Sequence, residues 1–187
     1  MLDELPQSNP IELIRNEMGL NVDGDGFVHV YTDGVCSENS NVELQDGQAG
    51  YGIWWAKDQI LNRSERADRQ TKHAAEIQAV TETIKIAKNH DMKAILIHTH
   101  SNFLVDCATK WMKNWIRNDW KNARNEPIKN REELEALDKA SQMAPPLEIK
   151  YKVHYKNVKG NNGQLNNGIA GNEEADQLAV MGARKQN

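Results

Sequence analysis

The sequence contains no long apolar run and very little cysteine. No stretch reaches the ~18 apolar residues that a membrane-spanning helix needs, so we expect no membrane segment. The opening residues, MLDELPQSNP, lack the basic and apolar regions of a secretory signal and the arginine-rich character of a transit peptide. The two cysteines, Cys36 and Cys107, form no metal-binding spacing. These features predict a protein of the cytoplasm or the nucleus.

The 187 residues also carry no excess of positive charge. A net charge of −4 argues mildly against a non-specific binder of polyanions. Basic residues are nevertheless concentrated in one segment, where only Asp119 and Glu126 are acidic. This segment contains Lys110, Lys113, Arg117, Lys121, Arg124, Lys129 and Arg131. A local basic surface of this kind can bind phosphate groups even when the whole molecule is acidic.

Local patterns predict one α/β domain of ordinary size. Runs typical of strands occur at 27–33, 50–58, 60–69, 93–99 and 147–158, and helical periodicity occurs at 72–89 and 101–120. Asn130 with Glu133 is typical of the start of a further helix, and Asn172 of the start of a last one. Three consecutive strands, followed by strands separated by helices, indicate a mixed sheet.

The first 26 residues are predicted to form a helix and a linker ahead of a domain at 27–187. Residues 9–18 carry the signals of a short helix, from a cap at Asn9 to a stop at Gly19. Because so short a helix is marginal alone, we expect it to dock on the domain or on a partner. Residues 21–26 match the start of an EF-hand loop, but Thr32 stands where the bidentate Glu is needed. A turn-rich linker is therefore the preferred interpretation.

Four polar residues lie at strand ends or in helices and are candidate catalytic residues. Asp33 ends the first strand, Glu76 lies in the first helix, His100 ends the fourth strand, and Asp176 lies in the first turn of the predicted last helix. Each has an ordinary structural explanation, since Asp-Gly is a frequent turn and Asp near a helix start complements the helix dipole.

Four segments, taken together, favour the catalytic explanation of these residues over the structural one. VYTDG, AAEIQAV, THSNF and GNEEADQLA resemble, in order and spacing, the signature segments of ribonuclease H, type 1. The resemblance runs from about Phe27 to Lys185. It implies an α/β fold of the ribonuclease H type, with a five-stranded mixed sheet whose first three strands are antiparallel and which helices flank. In this family four carboxylates bind two Mg²⁺ ions, which hydrolyse the RNA strand of an RNA–DNA hybrid.

The resemblance places three of those ligands on Asp33, Glu76 and Asp176, but the fourth falls on His100, so that the family's TDS reads THS. The family's loop histidine before the last helix is also missing, because that stretch holds Asn161 and no histidine follows His154. Mg²⁺ prefers oxygen ligands, so a lost carboxylate removes several kcal/mol of stabilisation, roughly a thousandfold or more in rate.

Three explanations of His100 stay open. A protonated imidazole among three carboxylates could take the electrostatic role of an ion and stabilise a metal-free site. A softer donor set could instead hold Zn²⁺ or Mn²⁺. His100 could also be merely tolerated in a decayed pocket.

The residues that the resemblance assigns to nucleic-acid binding are better retained. The family's phosphate pocket matches Arg69, Thr71 and Asn130, its aromatic channel matches Phe103, Trp111 and Trp115, and a groove-contacting residue matches Asn39. One departure is Lys72-His73, which stands in place of a minor-groove-reading Asn-Gln pair. Lysine offers charge but not the paired donor and acceptor of an amide, so this position departs from the family's means of hybrid discrimination.

The sequence therefore favours a catalytically inactive or severely impaired ribonuclease H-like protein, retained as a nucleic-acid-binding or protein-interaction module. Its expected partner is an RNA–DNA hybrid or another duplex, with a protein partner at residues 9–20 as a further expectation. The enzymatic alternative is a metal-dependent endoribonuclease that cleaves the RNA strand of hybrids. Mg²⁺ or Mn²⁺ is then the expected cofactor; otherwise we expect no tightly bound ion.

Overall fold

A mixed β-sheet organises the chain, with helices on both faces. The computed structural model describes residues 13–38, 44–143, 148–153 and 167–185. The strands are β1 (Ile14–Arg15), β2 (Asn21–Val22), β3 (Val28–Cys36), β4 (Ala49–Trp54), β5 (Arg63–Arg66), β6 (Ala94–Thr99) and β7 (Glu148–Val153). The helices are α1 (Lys72–Asn89), α2 (Asn102–Asp106), a π-helical turn (Cys107–Trp111), α3 (Met112–Arg117), α4 (Arg131–Met143) and α5 (Asn167–Ala183).

The five main strands have the predicted directions. β3, β4 and β5 pair antiparallel in sequence order, whereas β6 pairs parallel to both β3 and β7. β6 reads AILIHT and is almost entirely buried, as expected of a parallel strand covered on both faces. The predicted five-stranded mixed sheet is confirmed, and the short β1 and β2 extend it beside β3.

The two faces of the sheet hold separate hydrophobic clusters. The larger core lies between the sheet and helices α1 and α4, and includes Val30, Ile53, Ile77, Ile84, Ile97, Leu134 and Leu137. The smaller one forms where α5 packs, around Val35, Ala179, Val180 and Ala183. α5 lies very close to β4, because a Cβ atom at Gly52 would collide with the α5 backbone at Ala175. This contact sets the distance between α5 and the sheet at β4.

The helix predicted at 9–18 is wrong over its described part. Residues 9–12 lie outside the described residues, but Ile14–Arg15 is a strand that turns back into Asn21–Val22. The Asn16 side chain accepts hydrogen bonds from the backbone N–H groups of Met18 (3.0 Å) and Leu20 (2.9 Å), which builds the turn. Leu20 is then fully buried. Burial of this side chain in the core outweighs the local helix signals.

The linker at 21–26 is a turn closed by Asp23. Its Oδ1 accepts from the backbone of Asp25 and Phe27, at 3.0 Å and 2.9 Å, and its Oδ2 lies 3.0 Å from His29 Nε2. His29 Nδ1 in turn lies 3.0 Å from His98 Nε2. The carboxylate that suggested a calcium loop therefore belongs to a partly buried Asp–His–His chain that ties the turn to β3 and β6.

Two predicted helices have different limits. The helix predicted at 101–120 contains the π-helical turn and ends at Arg117, because Asp119 and Trp120 adopt left-handed backbone angles, with φ of 52° and 55°. The last helix begins at Asn167, so Asn172 is an interior residue and not its cap. Pro145, Pro146 and His154 lie outside the described residues. In the described part of the chain, no helix has both the length and the apolar character needed to cross a membrane.

Candidate active site and nucleic-acid interface

Asp33 lies within β3, which continues to Cys36, so its predicted place at the end of this strand is wrong. Its Oδ1 accepts a hydrogen bond of 2.8 Å from the backbone N–H of Gly34, and its side chain is mostly buried. Burial raises the pKa of this carboxyl group, and the Asp176 carboxylate raises it further. The Gly34 N–H, His100 and Lys72 act in the opposite direction.

Glu76 is held beside Asp33 by a close approach of α1 to β3. A Cβ atom at Gly34 would lie 2.6 Å from the Glu76 backbone nitrogen, so only glycine permits this contact. The Glu76 side chain is buried, and its Oε2 accepts a hydrogen bond of 2.6 Å from the Ser101 hydroxyl. Burial raises its pKa to about 7, even though the Ser101 hydroxyl and Lys72 both favour the ionised form.

His100 follows β6 directly and meets Asp33. The parallel register pairs Thr32 with Thr99, which brings the residues that follow them side by side. The His100 Nδ1 atom lies 4.0 Å from Asp33 Oδ2, and the imidazole is 37% exposed. The side chain that the resemblance sets in place of a carboxylate therefore lies beside the Asp33 carboxylate.

Asp176 approaches from the other face of the sheet, on α5. It is exposed, and it is near enough to Asp33 to raise the pKa of that carboxyl group. It lies well inside the helix, so its predicted place in the first turn is wrong. The four residues singled out in the sequence thus gather at one end of β3 and β6.

Two residues of this site were not predicted as site residues. Ser101 is the N-cap of α2, where its Oγ accepts from the Leu104 N–H at 3.2 Å, and it also donates to Glu76. Its position after a strand and before a helix is a cap signal, but its contact with Glu76 depends on tertiary structure. Lys72, the first residue of α1, lowers the pKa of both Asp33 and Glu76.

Two of the predicted phosphate-pocket residues lie where α1 begins and α4 packs against it. Thr71 is the N-cap of α1, and its Oγ1 accepts from the Ala74 N–H at 3.3 Å. Arg69 reaches α4, where its Nη1 lies 3.5 Å from Glu133 Oε1. Asn130, with φ of 58°, immediately precedes α4. Glu133 was predicted to close a capping box, but its carboxylate pairs with Arg69.

The predicted aromatic residues form a continuous series of rings. Trp111 and Trp115 have ring centroids 5.6 Å apart, and Phe103 meets Trp111 edge-on at 6.3 Å. His73 extends the series, because it stacks on Phe103 with centroids 4.1 Å apart and planes 15° apart. Trp111 is exposed at the surface. Asn39 and Asn161 lie outside the described residues.

Comparison with known proteins identifies the family of the chain. The RNase H family model matches residues 25–184. Human Ribonuclease H1 is 34% identical over 160 residues, which cover 85% of this chain and 51% of that protein. Ribonuclease H of Parvibaculum lavamentivorans is 32% identical over 162 residues, which cover 85% and 93%.

Solved structures agree with the sequence comparisons. The PFV RNase H domain is similar with a TM-score of 0.60 and 25% identity, over 83% of this chain and 93% of that one. The chain spans about half the length of the human relative, but nearly all of the bacterial one. The chain therefore belongs to the RNase H family, type 1.

Proposed function

We propose that this protein binds nucleic-acid duplexes through an RNase H fold whose Mg²⁺-dependent hydrolysis is lost or severely impaired. One observation carries the proposal: the imidazole of His100 lies 4.0 Å from the Asp33 carboxylate, where the resemblance calls for a fourth carboxylate. Imidazole is a poor ligand for Mg²⁺, which is hard and prefers oxygen.

The remaining carboxylates are one fewer than the set that the resemblance assigns to two Mg²⁺ ions. Glu76 is buried and hydrogen-bonded to Ser101, and burial raises its pKa to about 7. Asp33 already accepts from Gly34 and faces His100. Across the described ranges, no three His, Cys, Asp or Glu side chains are already arranged as a metal-binding group.

The charge arrangement supports a metal-free role for His100. Asp33, Glu76 and Asp176 bring up to three negative charges to one end of the sheet. An imidazolium at His100, together with the ammonium of Lys72, would offset those charges without an ion. An aspartate at this position would instead set a further negative charge beside Asp33.

The binding surface supports the other half of the proposal. The rings of Phe103, Trp111 and Trp115 form a connected apolar surface beside Lys110 and Lys113, which are exposed. Aromatic rings flanked by basic side chains suit a sugar–phosphate backbone, since the rings contact the sugars and the cations replace counterions.

Cleavage and binding should be measured on the same labelled RNA–DNA hybrid. We expect salt-dependent binding by the wild-type protein, with cleavage near background in Mg²⁺ and then in Mn²⁺. His100→Asp, which supplies a fourth carboxylate, should gain cleavage in Mg²⁺, and His100→Asn, which restores no charge, is the matched control. Brisk turnover by the wild type in Mg²⁺ would refute the loss of catalysis, and absence of binding would refute the nucleic-acid role.

A working hybrid-specific ribonuclease is the second candidate. It is favoured by the convergence of Asp33, Glu76 and Asp176 and by the names of the curated relatives, which are ribonucleases H. A set of three carboxylates and one imidazole suits Mn²⁺ or Zn²⁺ better than Mg²⁺. Cleavage that appears with Mn²⁺ and disappears in Glu76→Gln would support this candidate.

A further inference from the structure

The carboxylate of Glu133 lies beside the cation of the predicted phosphate pocket. Glu133 Oε1 is 3.5 Å from Arg69 Nη1, and the two side chains differ greatly in exposure, at 15% for Glu133 and 54% for Arg69. Arg69 can therefore meet a ligand at the surface, while the negative charge is held beneath it.

The pair lacks the geometry of a positioning contact. A distance of 3.5 Å is longer than the ~2.7–2.9 Å of a strong charge-assisted hydrogen bond, so Glu133 does little to fix the orientation of the guanidinium. The other oxygen, Oε2, is buried and accepts no hydrogen bond from any described residue. Glu133 does supply a negative charge, and its Coulomb interaction with Arg69 does not depend on the orientation of the guanidinium.

We infer that Glu133 is an electrostatic brake on phosphate binding at Arg69, Thr71 and Asn130. The inference rests on the proposed nucleic-acid role, in which Arg69 contacts a backbone phosphate. A phosphate that approaches Arg69 meets a cation already neutralised by Glu133, and it is repelled by the same carboxylate. Glu133 therefore weakens binding at this pocket and restricts it to ligands that gain enough contacts elsewhere, such as a long duplex on the aromatic residues.

Removal of the Glu133 charge should change how nucleic-acid affinity depends on salt concentration. A cation freed from an internal partner displaces a counterion from the nucleic acid, which adds about 0.9 to the slope of log affinity against log salt. Removal of the Glu133 charge should therefore steepen the slope by about one. It should also raise affinity at low salt by about twofold to fivefold, the range typical of a partly exposed ion pair.

The test uses a fluorescein-labelled RNA–DNA hybrid in chelator, titrated at several salt concentrations. Glu133→Gln and Glu133→Ala remove the charge with different side chains. Glu132→Gln is the matched control, because Glu132 is exposed in the same turn of α4 and its loss changes the net charge equally. Each variant is repeated with Arg69→Ala to complete a double-mutant cycle, and melting curves establish that all are folded.

The outcomes separate the brake from the proposed function. Tighter binding and a steeper slope in the Glu133 variants, absent from Glu132→Gln and abolished by Arg69→Ala, support the brake. Wild-type binding that the Glu133 variants leave unchanged, or weaken, overturns the brake while the nucleic-acid role stands. A gain that persists with Arg69→Ala also overturns it. No binding by the wild type and by every Glu133 variant overturns both.

Discussion

The buried carboxyl group of Glu76 makes folding stability depend on pH in a direction that can be tested. Burial raises its pKa from 4.5 to about 7. A folded-state pKa above the unfolded value means that the folded state binds the proton more tightly. Ionisation of Glu76 therefore takes nothing from the free energy of unfolding below pH ~4.5. The loss of stability grows as the pH rises to about 7.

The size of the effect follows from the same pKa values. A change from 4.5 to about 7 corresponds to about 3 kcal/mol in the free energy of unfolding, since one pKa unit is about 1.4 kcal/mol. Glu76→Gln removes the ionisation while its amide oxygen can still accept from Ser101. We therefore expect the variant to be as stable as the wild type near pH 4 and more stable by up to about 3 kcal/mol near pH 8.

Urea denaturation in chelator, from pH 4 to pH 8.5, measures this difference. Glu82→Gln is the control, because Glu82 lies on the same helix but near the surface, paired with Lys85 at 2.6 Å. Its effect should stay within about 1 kcal/mol at every pH. A difference between Glu76→Gln and the wild type that is independent of pH, or that favours the wild type at pH 8, would show that Glu76 is not held in this environment.

Three further predictions concern His100, Trp111 and Gly52. His100→Asp in chelator should lower the free energy of unfolding by up to about 1 kcal/mol, because it sets a second carboxylate beside Asp33 at a site partly open to solvent. Millimolar Mg²⁺ should raise its melting temperature more than that of the wild type, and equal Mg²⁺ responses would contradict this. Trp111→Ala should weaken hybrid binding by about fivefold to tenfold while the variant stays folded in melting curves, since the ring is 38% exposed. Unchanged affinity in fluorescence titrations would remove this residue from the interface. Gly52→Ala should destabilise the fold by about 1–3 kcal/mol in thermal or urea unfolding, because its methyl group collides with the backbone of α5, and a neutral result would refute that close packing.

The regular elements were predictable because their signals are repeated many times. α1 carries apolar residues at helical spacing over 18 residues, with Thr71 as its cap, and β6 is a buried apolar strand. The helix at 9–18 had only cap and stop signals to support it. There, burial of Leu20 in the core favours the strand and turn over a helix, and the local sequence does not show that this side chain will be buried.

The site was predictable only as far as the matching segments extend. They identified Asp33, Glu76, His100 and Asp176, which the fold brings together. Interactions between residues far apart in sequence could not be predicted from these segments. The hydrogen bond from Ser101 to Glu76 and the pair of Arg69 with Glu133 depend on how α1 packs against its neighbours, and no local pattern encodes them.

The same packing holds both helices in place without help from the side chains of the site. α1 is held against β3 by a backbone contact at Gly34, and α5 is held against β4 by one at Gly52, so neither helix depends on a metal ligand for its place. The carboxylates arrive at the site because of those contacts, and they are a cost to the free protein rather than a source of stability, as the raised pKa values of Asp33 and Glu76 indicate. A substitution that relieves this cost is favourable for folding even where it abolishes metal binding. The position of His100, against Asp33 and partly open to solvent, is one where an imidazole relieves charge repulsion without filling or emptying the core.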